Sequence, residues 1–177
     1  SGKRTGTQNQ VRIIGGQWRG RKLAFAPIDG LRPTGDRIRE TLFNWLSTYI
    51  TGARCADLFA GSGALGLEAL SRGAEHCDFV DCANAALAQV RNHLRTFEAL
   101  GRSGCHPVSA QQFLQVAVAP YDIVFIDPPF KLQLAETVCA ALAQKQLLRE
   151  DALVYIETGA TEPPPSVPPT WKLYREK

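Results

Sequence analysis

The chain has 177 residues, enough for one domain with a sizeable core, and its 45% hydrophobic and 21% charged residues are ordinary for a globular protein. No apolar run approaches the roughly 20 residues needed to cross a bilayer, which excludes a membrane-spanning helix in this sequence. The net charge of +3 is unevenly divided: residues 1–39 balance to +7 and the remainder to −4, so a polyanion gripped by the N-terminal segment is one expectation and a solvated tail the other.

Residues 11–26, VRIIGGQWRGRKLAFA, read as two short strands around a Gly15-Gly16 turn. Arg12, Arg19, Arg21 and Lys22 stud this hairpin, with Trp18 and Phe25 between them; Trp18 reads as core packing ahead of base stacking. A loop with Pro27, Gly30 and Pro33 follows. Asp36 is the expected N-cap of a helix reaching about Tyr49. Its core face is expected to carry Ile38, Leu42, Trp45, Leu46 and Tyr49, with Arg37, Glu40 and Asn44 on the other side.

From Ala53 onward, short apolar runs alternate with helical stretches. Strands are predicted at 54–59, 77–81, 104–108, 121–126, 152–157 and 171–175, and helices at 63–73, 84–99, 110–118 and 133–146. The alternation predicts an α/β fold, a doubly wound, mainly parallel sheet with helices on both faces, preceded by the small basic β-hairpin. Residues 1–35 are therefore read as a basic extension and 36–177 as the main domain. Glu162 to Pro169, with five prolines, reads as a rigid connector. The cysteines at 55, 77, 82, 105 and 139 form no Cys-x-x-Cys pair, and His76, His93 and His106 lack ligand spacing. This pattern fits a reducing cytosol and no metal. The absence of Met makes the chain an expected part of a longer translated product.

In such a sheet, ligands bind at the carboxyl ends of the strands. The first main strand ends in Asp57-Leu-Phe-Ala-Gly61-Ser62-Gly63-Ala-Leu-Gly66, where the glycines permit a tight turn and close backbone approach. The glycine spacing alone also matches a dinucleotide site. Asp57 points elsewhere, because a carboxylate suits the amino and sulfonium end of S-adenosylmethionine and is badly placed beside a pyrophosphate. Asp81, about twenty residues beyond, is positioned to accept ribose hydroxyls, which either cofactor carries.

The fourth strand discriminates between them. It ends in Asp127-Pro128-Pro129-Phe130, in which the prolines remove two backbone donors and hold the loop extended. The Asp127 carboxylate and the Pro128 carbonyl can then accept from an exocyclic amine, while Phe130 offers a stacking face. The amino nitrogen of a base is a poor nucleophile, since its lone pair is delocalised into the ring. Two acceptors on its N–H groups favour the pyramidal form that can attack a methyl carbon. Three other readings are open from these residues: a DNA adenine or cytosine amino-methyltransferase, an NAD-dependent oxidoreductase, and a non-catalytic RNA-binding protein.

The sequence resembles the RsmD family of bacterial 16S rRNA (guanine-N2) methyltransferases. The matching stretches are Ile13 to Leu23, Arg32 to Asn44, Asp57 to Arg72, Asp127 to Phe130, Val154 to Glu157 and Trp171 to Lys177. The resemblance implies a Rossmann-like class I methyltransferase fold, S-adenosylmethionine as methyl donor and S-adenosylhomocysteine as product. The partner it implies is 16S rRNA within an assembled or assembling small subunit, and a monomer is the expected state. It assigns Phe59, Gly61, Ser62 and Gly63 to the cofactor turn alongside Asp57 and Asp81. Thr34 and Arg37 would close over the cofactor side of the pocket, and Arg32 would join the hairpin cations on RNA. Related enzymes often place Asp or Asn beside the adenine where this chain has Ser109, followed by Ala110. A last strand pairing with 171–175 is expected beyond Lys177.

Overall fold

A computed structural model describes residues 10–25, 35–129, 132–159 and 161–176. Two layers of helix enclose a five-stranded sheet, and a short hairpin lies against one layer. The hairpin pairs β1 (Gln10–Arg12) with β2 (Lys22–Ala24), antiparallel, Arg12 opposite Lys22. The sheet contains β3 (Arg54–Asp57), β4 (His76–Val80), β5 (Ser103–His106), β6 (Tyr121–Ile126) and β7 (Leu148–Ile156). Their order is β5-β4-β3-β6-β7, and every pairing is parallel. The chain leaves β3 in one direction and later returns to its other side as β6, so the topological switch point lies between the carboxyl ends of β3 and β6.

The connecting helices are α1 (Asp36–Trp45), α2 (Ala64–Ser71), α3 (Asn84–Thr96), α4 (Ala110–Val116) and α5 (Leu132–Gln144). Strand residues alternate between the faces. Cys55, Cys77, Phe79, Ile123 and Phe125 pack with α1, α2 and α3, while Ala56, Val80, Val124 and Ile126 pack with α4 and α5. Burial of both faces explains why the central strands read as continuous apolar runs. Val11, Ile13, Trp18, Leu23 and Phe25 of the hairpin belong to the first of these clusters, so this segment shares the main core.

A polar cluster is embedded among the strands. Asp78, at the centre of β4, accepts from Tyr121 Oη at 2.6 Å and meets His76 Nε2 at 2.9 Å and His106 Nε2 at 3.0 Å. Burial alone would raise its carboxyl, but these hydrogen bonds outweigh it and hold the group below the usual range. All five cysteines are free thiols; Cys55, Cys77 and Cys139 are buried as small core residues, Cys105 is half-buried and Cys82 is exposed.

Several local expectations are corrected. The strands of the hairpin are joined by nine residues, 13–21, and Gly15-Gly16 is a docking point on α2 where a tight hairpin turn was expected. Gly35, not Asp36, is the N-cap of α1, and α1 ends at Trp45 instead of near Tyr49. Its buried face is Arg39, Leu42, Phe43 and Leu46, with Ile38 45% and Tyr49 42% exposed. The rotation of the face follows from Arg39, whose charge is satisfied inside and which therefore sits where an apolar residue was expected. Residues 171–175 form no strand. Leu173 and Tyr174 are exposed, while Trp171 packs on the α4–α5 side and Tyr174 meets Tyr49 edge-on at 6.3 Å. No described strand lies alongside them to supply ladder partners.

Candidate active site

The carboxyl edge of the sheet gathers residues distant in sequence. Leu58 N–H donates to Phe125 O, Ala60 N–H to Val80 O, Asp81 N–H to His106 O and Glu157 N–H to Ile126 O. These bonds align the ends of β3, β4, β6 and β7, so Asp57, Asp81, Asp127 and Glu157 stand along one edge. The turn after β3 is built on left-handed glycines, with Gly61 at φ +53° and Gly63 at +79°. A Cβ on Gly63 would come within 2.8 Å of Val90, and one on Gly66 within 2.3 Å of the Phe79 ring, so neither position accepts a side chain as built.

Both nearby carboxylates brace this turn. Asp57 Oδ2 accepts from Gly66 N–H at 3.0 Å, inside the first turn of α2. Asp81 Oδ2 accepts from Gly61 N–H at 2.8 Å, and its Oδ1 accepts from Ala83 N–H at 2.7 Å. Asp57 is 1% exposed. Burial pushes its carboxyl up; the Gly66 N–H opposes this, the charges of Asp127 and Asp81 add to it, and the group rests at about 7. An edge in which three carboxylates repel one another suits a ligand carrying positive charge and hydroxyl groups. It is a poor fit for a pyrophosphate.

Asp127 follows directly on β6 and is half-buried, Pro128 is buried and Pro129 exposed. Beside them, Tyr155 on β7 donates to Glu157 Oε2 at 3.2 Å. Burial, then the charges of Glu157 and Asp127, raise the Tyr155 hydroxyl above its usual value. Ser62 is buried and Phe59 half-buried against the α4–α5 cluster. Ser109 and Ala110 lie past the end of β5, three and four residues beyond His106, whose carbonyl accepts from Asp81 N–H. The Ser109 hydroxyl caps α4, accepting from Gln112 N–H at 3.1 Å while Gln112 Oε1 accepts from Ser109 N–H at 3.0 Å. Ala110 is buried. Arg37 is exposed on α1. Arg32, Thr34 and Phe130 lie outside the described residues.

The predicted cations Arg12, Arg19, Arg21 and Lys22 are all exposed. Arg12 is 3.8 Å from Asp36. The Arg21 guanidinium lies 4.9 Å above the Phe97 ring, which stacks on Trp18 at 4.5 Å; Trp18 is 5% exposed and is a core residue. His93 Nε2, on α3, meets Ala24 O at 2.7 Å and ties the other end of the hairpin down.

Sequence reasoning missed the buried pair Arg39 and Glu68, both fully buried and 3.1 Å apart. Glu68 accepts from Ile14 N–H, Gly15 N–H, Arg39 and Arg72, each at 2.9–3.1 Å. A signal was present: Glu68 is the only charged residue in α2, a helix whose eight residues are all buried.

The comparisons with known proteins agree with this geometry. The family model described as Conserved hypothetical protein 95 matches residues 11–177. The chain is 48% identical over 168 residues to ribosomal RNA small subunit methyltransferase D of Escherichia coli strain K12, covering 95% of this chain and 84% of that protein. It is 42% identical to the protein of the same name from Haemophilus influenzae, over 96% of this chain and 89% of the relative. The solved structure of Escherichia coli yhhF superposes with a TM-score of 0.88 at 44% identity, covering 95% of this chain and 91% of the other. The sheet order, the glycine turn and these relatives together establish that the chain belongs to the RsmD family of methyltransferases, with a Rossmann-like class I methyltransferase fold.

Proposed function

We propose that the protein transfers a methyl group from S-adenosylmethionine to the exocyclic N2 amino group of a guanine in small-subunit ribosomal RNA. The observation that carries this reading is the position of Asp127 and Pro128. They follow directly on β6, across the switch point from the turn that Asp57 and Asp81 brace. The names of the relatives support the rRNA substrate and the small-subunit context. An RNA substrate of this kind implies work in the cytoplasm.

Asp57, Asp81 and the Gly61–Gly63 turn would hold the cofactor, with Phe59, Ser62, Ser109, Ala110, Thr34 and Arg37 around it. The cofactor supplies an electrophilic methyl group on a sulfonium. A carboxylate has about four acceptor positions, of which two on Asp81 are used by Gly61 and Ala83, leaving capacity for ribose hydroxyls. The Asp127 carboxylate and the Pro128 carbonyl accept the two amino hydrogens of the guanine, which favours a pyramidal nitrogen whose lone pair is withdrawn from conjugation with the ring. Asp127 then takes the released proton or hands it to water. Pro129 and Phe130 complete the loop, with Phe130 as the stacking face.

Residues 1–35 act as the docking extension of the domain formed by 36–177. Arg12 and Lys22 face each other across the hairpin, a like-charge pairing that Asp36, 3.8 Å from Arg12, offsets only in part and that a further anion would relieve. RNA phosphates supply that anion, with Arg19, Arg21 and Arg32 adding contacts.

The test is transfer of labelled methyl from S-adenosylmethionine to small-subunit particles from cells lacking this activity, with DNA and naked rRNA alongside and nucleoside digestion afterwards. Label in N2-methylguanosine is the expected result. Label only in DNA, or bound cofactor with no transfer to any of the three, overturns the reading.

A further inference from the structure

Helix α2 joins the two working regions. Its first turn carries Gly66, bonded to Asp57 beneath the cofactor turn, and its last residue, Ser71, carries the hairpin loop. The Ser71 hydroxyl donates to Gly15 O at 2.7 Å and accepts from Trp18 N–H at 2.9 Å, and Ser71 O accepts from Gln17 N–H at 2.7 Å. The approach is so close that a Cβ on Gly16, already at φ +82°, would lie 2.1 Å from Ser71 O. Eight helical residues span about 12 Å, so α2 is a rigid strut between the glycine turn and the loop bearing Arg19 and Arg21.

Glu68 locks that strut. Its two carboxylate oxygens take four donors from three directions: the amides of Ile14 and Gly15 in the hairpin loop, Arg39 of α1, and Arg72 at the end of α2. Arg39 in turn reaches Asp36 at 2.6 Å, and Asp36 lies 3.8 Å from Arg12. A core carboxylate is a costly way to fill space, and an apolar side chain would pack α2 against the sheet without it. What an apolar residue cannot do is hold two backbone amides of a separate segment in fixed register.

Resting on the reading of the cleft as an RNA methyltransferase site, we propose that Glu68 is a positioning residue that fixes the basic hairpin at a set distance from the cofactor turn. The protein thereby selects RNA in which a run of phosphates and the target base are separated by a matching span. Glu68 touches neither cofactor nor base. It acts through the hairpin, and its removal adds an ordering cost to RNA binding while every phosphate-binding cation stays in place.

The experiment compares the wild-type chain with Glu68→Gln and, separately, Ser71→Ala, which loosens the same anchorage without touching the buried ion pair. Amide exchange at Ile14 and Gly15, S-adenosylmethionine affinity by calorimetry, and methyl transfer to small-subunit particles at several salt concentrations are measured on each. In both variants, exchange at those amides is expected to accelerate about tenfold or more while the β3 and β6 amides stay protected. Cofactor Kd and kcat are expected to stay within about threefold, and KM for the particle to rise about tenfold at an unchanged salt slope. A kcat that falls with the folded fraction at constant KM makes Glu68 a purely structural residue and overturns the inference. So does an unchanged KM despite faster exchange. Where Glu68→Gln fails to fold, Ser71→Ala decides by the same readouts. Absence of RNA methylation by the wild-type chain overturns the functional reading itself, an outcome distinct from wild-type transfer with unaltered KM in the variants.

Discussion

Gly61 and Asp81, twenty residues apart, are joined by a 2.8 Å hydrogen bond from the glycine amide to the carboxylate. The second oxygen of Asp81 accepts from Ala83 N–H, so one side chain fixes both the glycine turn and the start of the next helix. A hydrogen bond to a charged acceptor contributes about 1.5–3 kcal/mol. Asp81→Ala is therefore expected to lower stability to urea by about that much and to weaken S-adenosylmethionine about tenfold or more. Equilibrium unfolding and calorimetry check the two parts separately. Undiminished cofactor affinity would mean that Asp81 shapes the turn without meeting the ligand.

Asp127 stands directly after β6, beside the buried Pro128, and is expected to act on the amine and not on the cofactor. Asp127→Ala should nearly abolish methyl transfer while cofactor affinity stays within about tenfold, or roughly 1.4 kcal/mol. Single-turnover assays at saturating cofactor read the first effect and calorimetry the second. Turnover at the wild-type rate would remove Asp127 from the chemistry.

Much of this arrangement is legible in the sequence because it is local. A strand that is buried on both faces must be an apolar run, a glycine turn must contain glycines, and Asp-Pro-Pro removes donors wherever it stands. The parallel sheet and the acidic strand ends at Asp57, Asp81 and Asp127 are read in this way, whereas Glu157 at the end of β7 is not singled out. What the sequence conceals are pairings across distance. Arg39 is polar by composition and core by position, because Glu68 on another helix neutralises it. The apolar spacing in α1 consequently points to a rotated face, with Ile38 inside where Arg39 sits. Gly15-Gly16 looks like a hairpin turn, yet its glycines serve the approach to Ser71 and Arg72, fifty-five or so residues on. A strand at 171–175 has the right residue types, but a strand exists only with a hydrogen-bonded neighbour.

The pH dependence of the cleft rests on Asp57. Its carboxyl is raised from 3.8 to about 7, so the folded chain holds this proton more tightly than the unfolded chain. The contribution to stability is fully present below 3.8 and is lost as pH rises through about 7. The ceiling on that loss is on the order of 4 kcal/mol. Asp57→Asn removes the titration, so its melting temperature relative to wild type should climb between pH 5 and about pH 8. Cofactor binding follows the opposite sign, since a cationic ligand prefers the ionised carboxylate. Affinity should tighten from about pH 6 to about pH 8 in the wild-type chain and stay flat in Asp57→Asn. A parallel pair of melting curves across that range would show that Asp57 does not carry the titration.

The hairpin cations make the separable electrostatic prediction. Arg12, Arg19, Arg21 and Lys22 are exposed, whereas Trp18 between them is buried against Phe97, so charge can be removed while the core stays packed. Replacing Arg19, Arg21 and Lys22 by Gln should weaken RNA binding and make it less sensitive to salt. For every phosphate that is no longer neutralised, the slope of log K against log salt should fall by about 0.7 for single-stranded and about 0.9 for duplex nucleic acid. Arg21 also rests on Phe97, and removing its guanidinium from that ring costs about 0.5–1 kcal/mol of stability, too little to unfold the chain. Filter binding to small-subunit particles across a salt series measures the slope, and calorimetry with S-adenosylmethionine serves as the control. A shallower slope with intact cofactor binding assigns the phosphates to the hairpin. An unchanged slope moves the docking surface elsewhere on the protein.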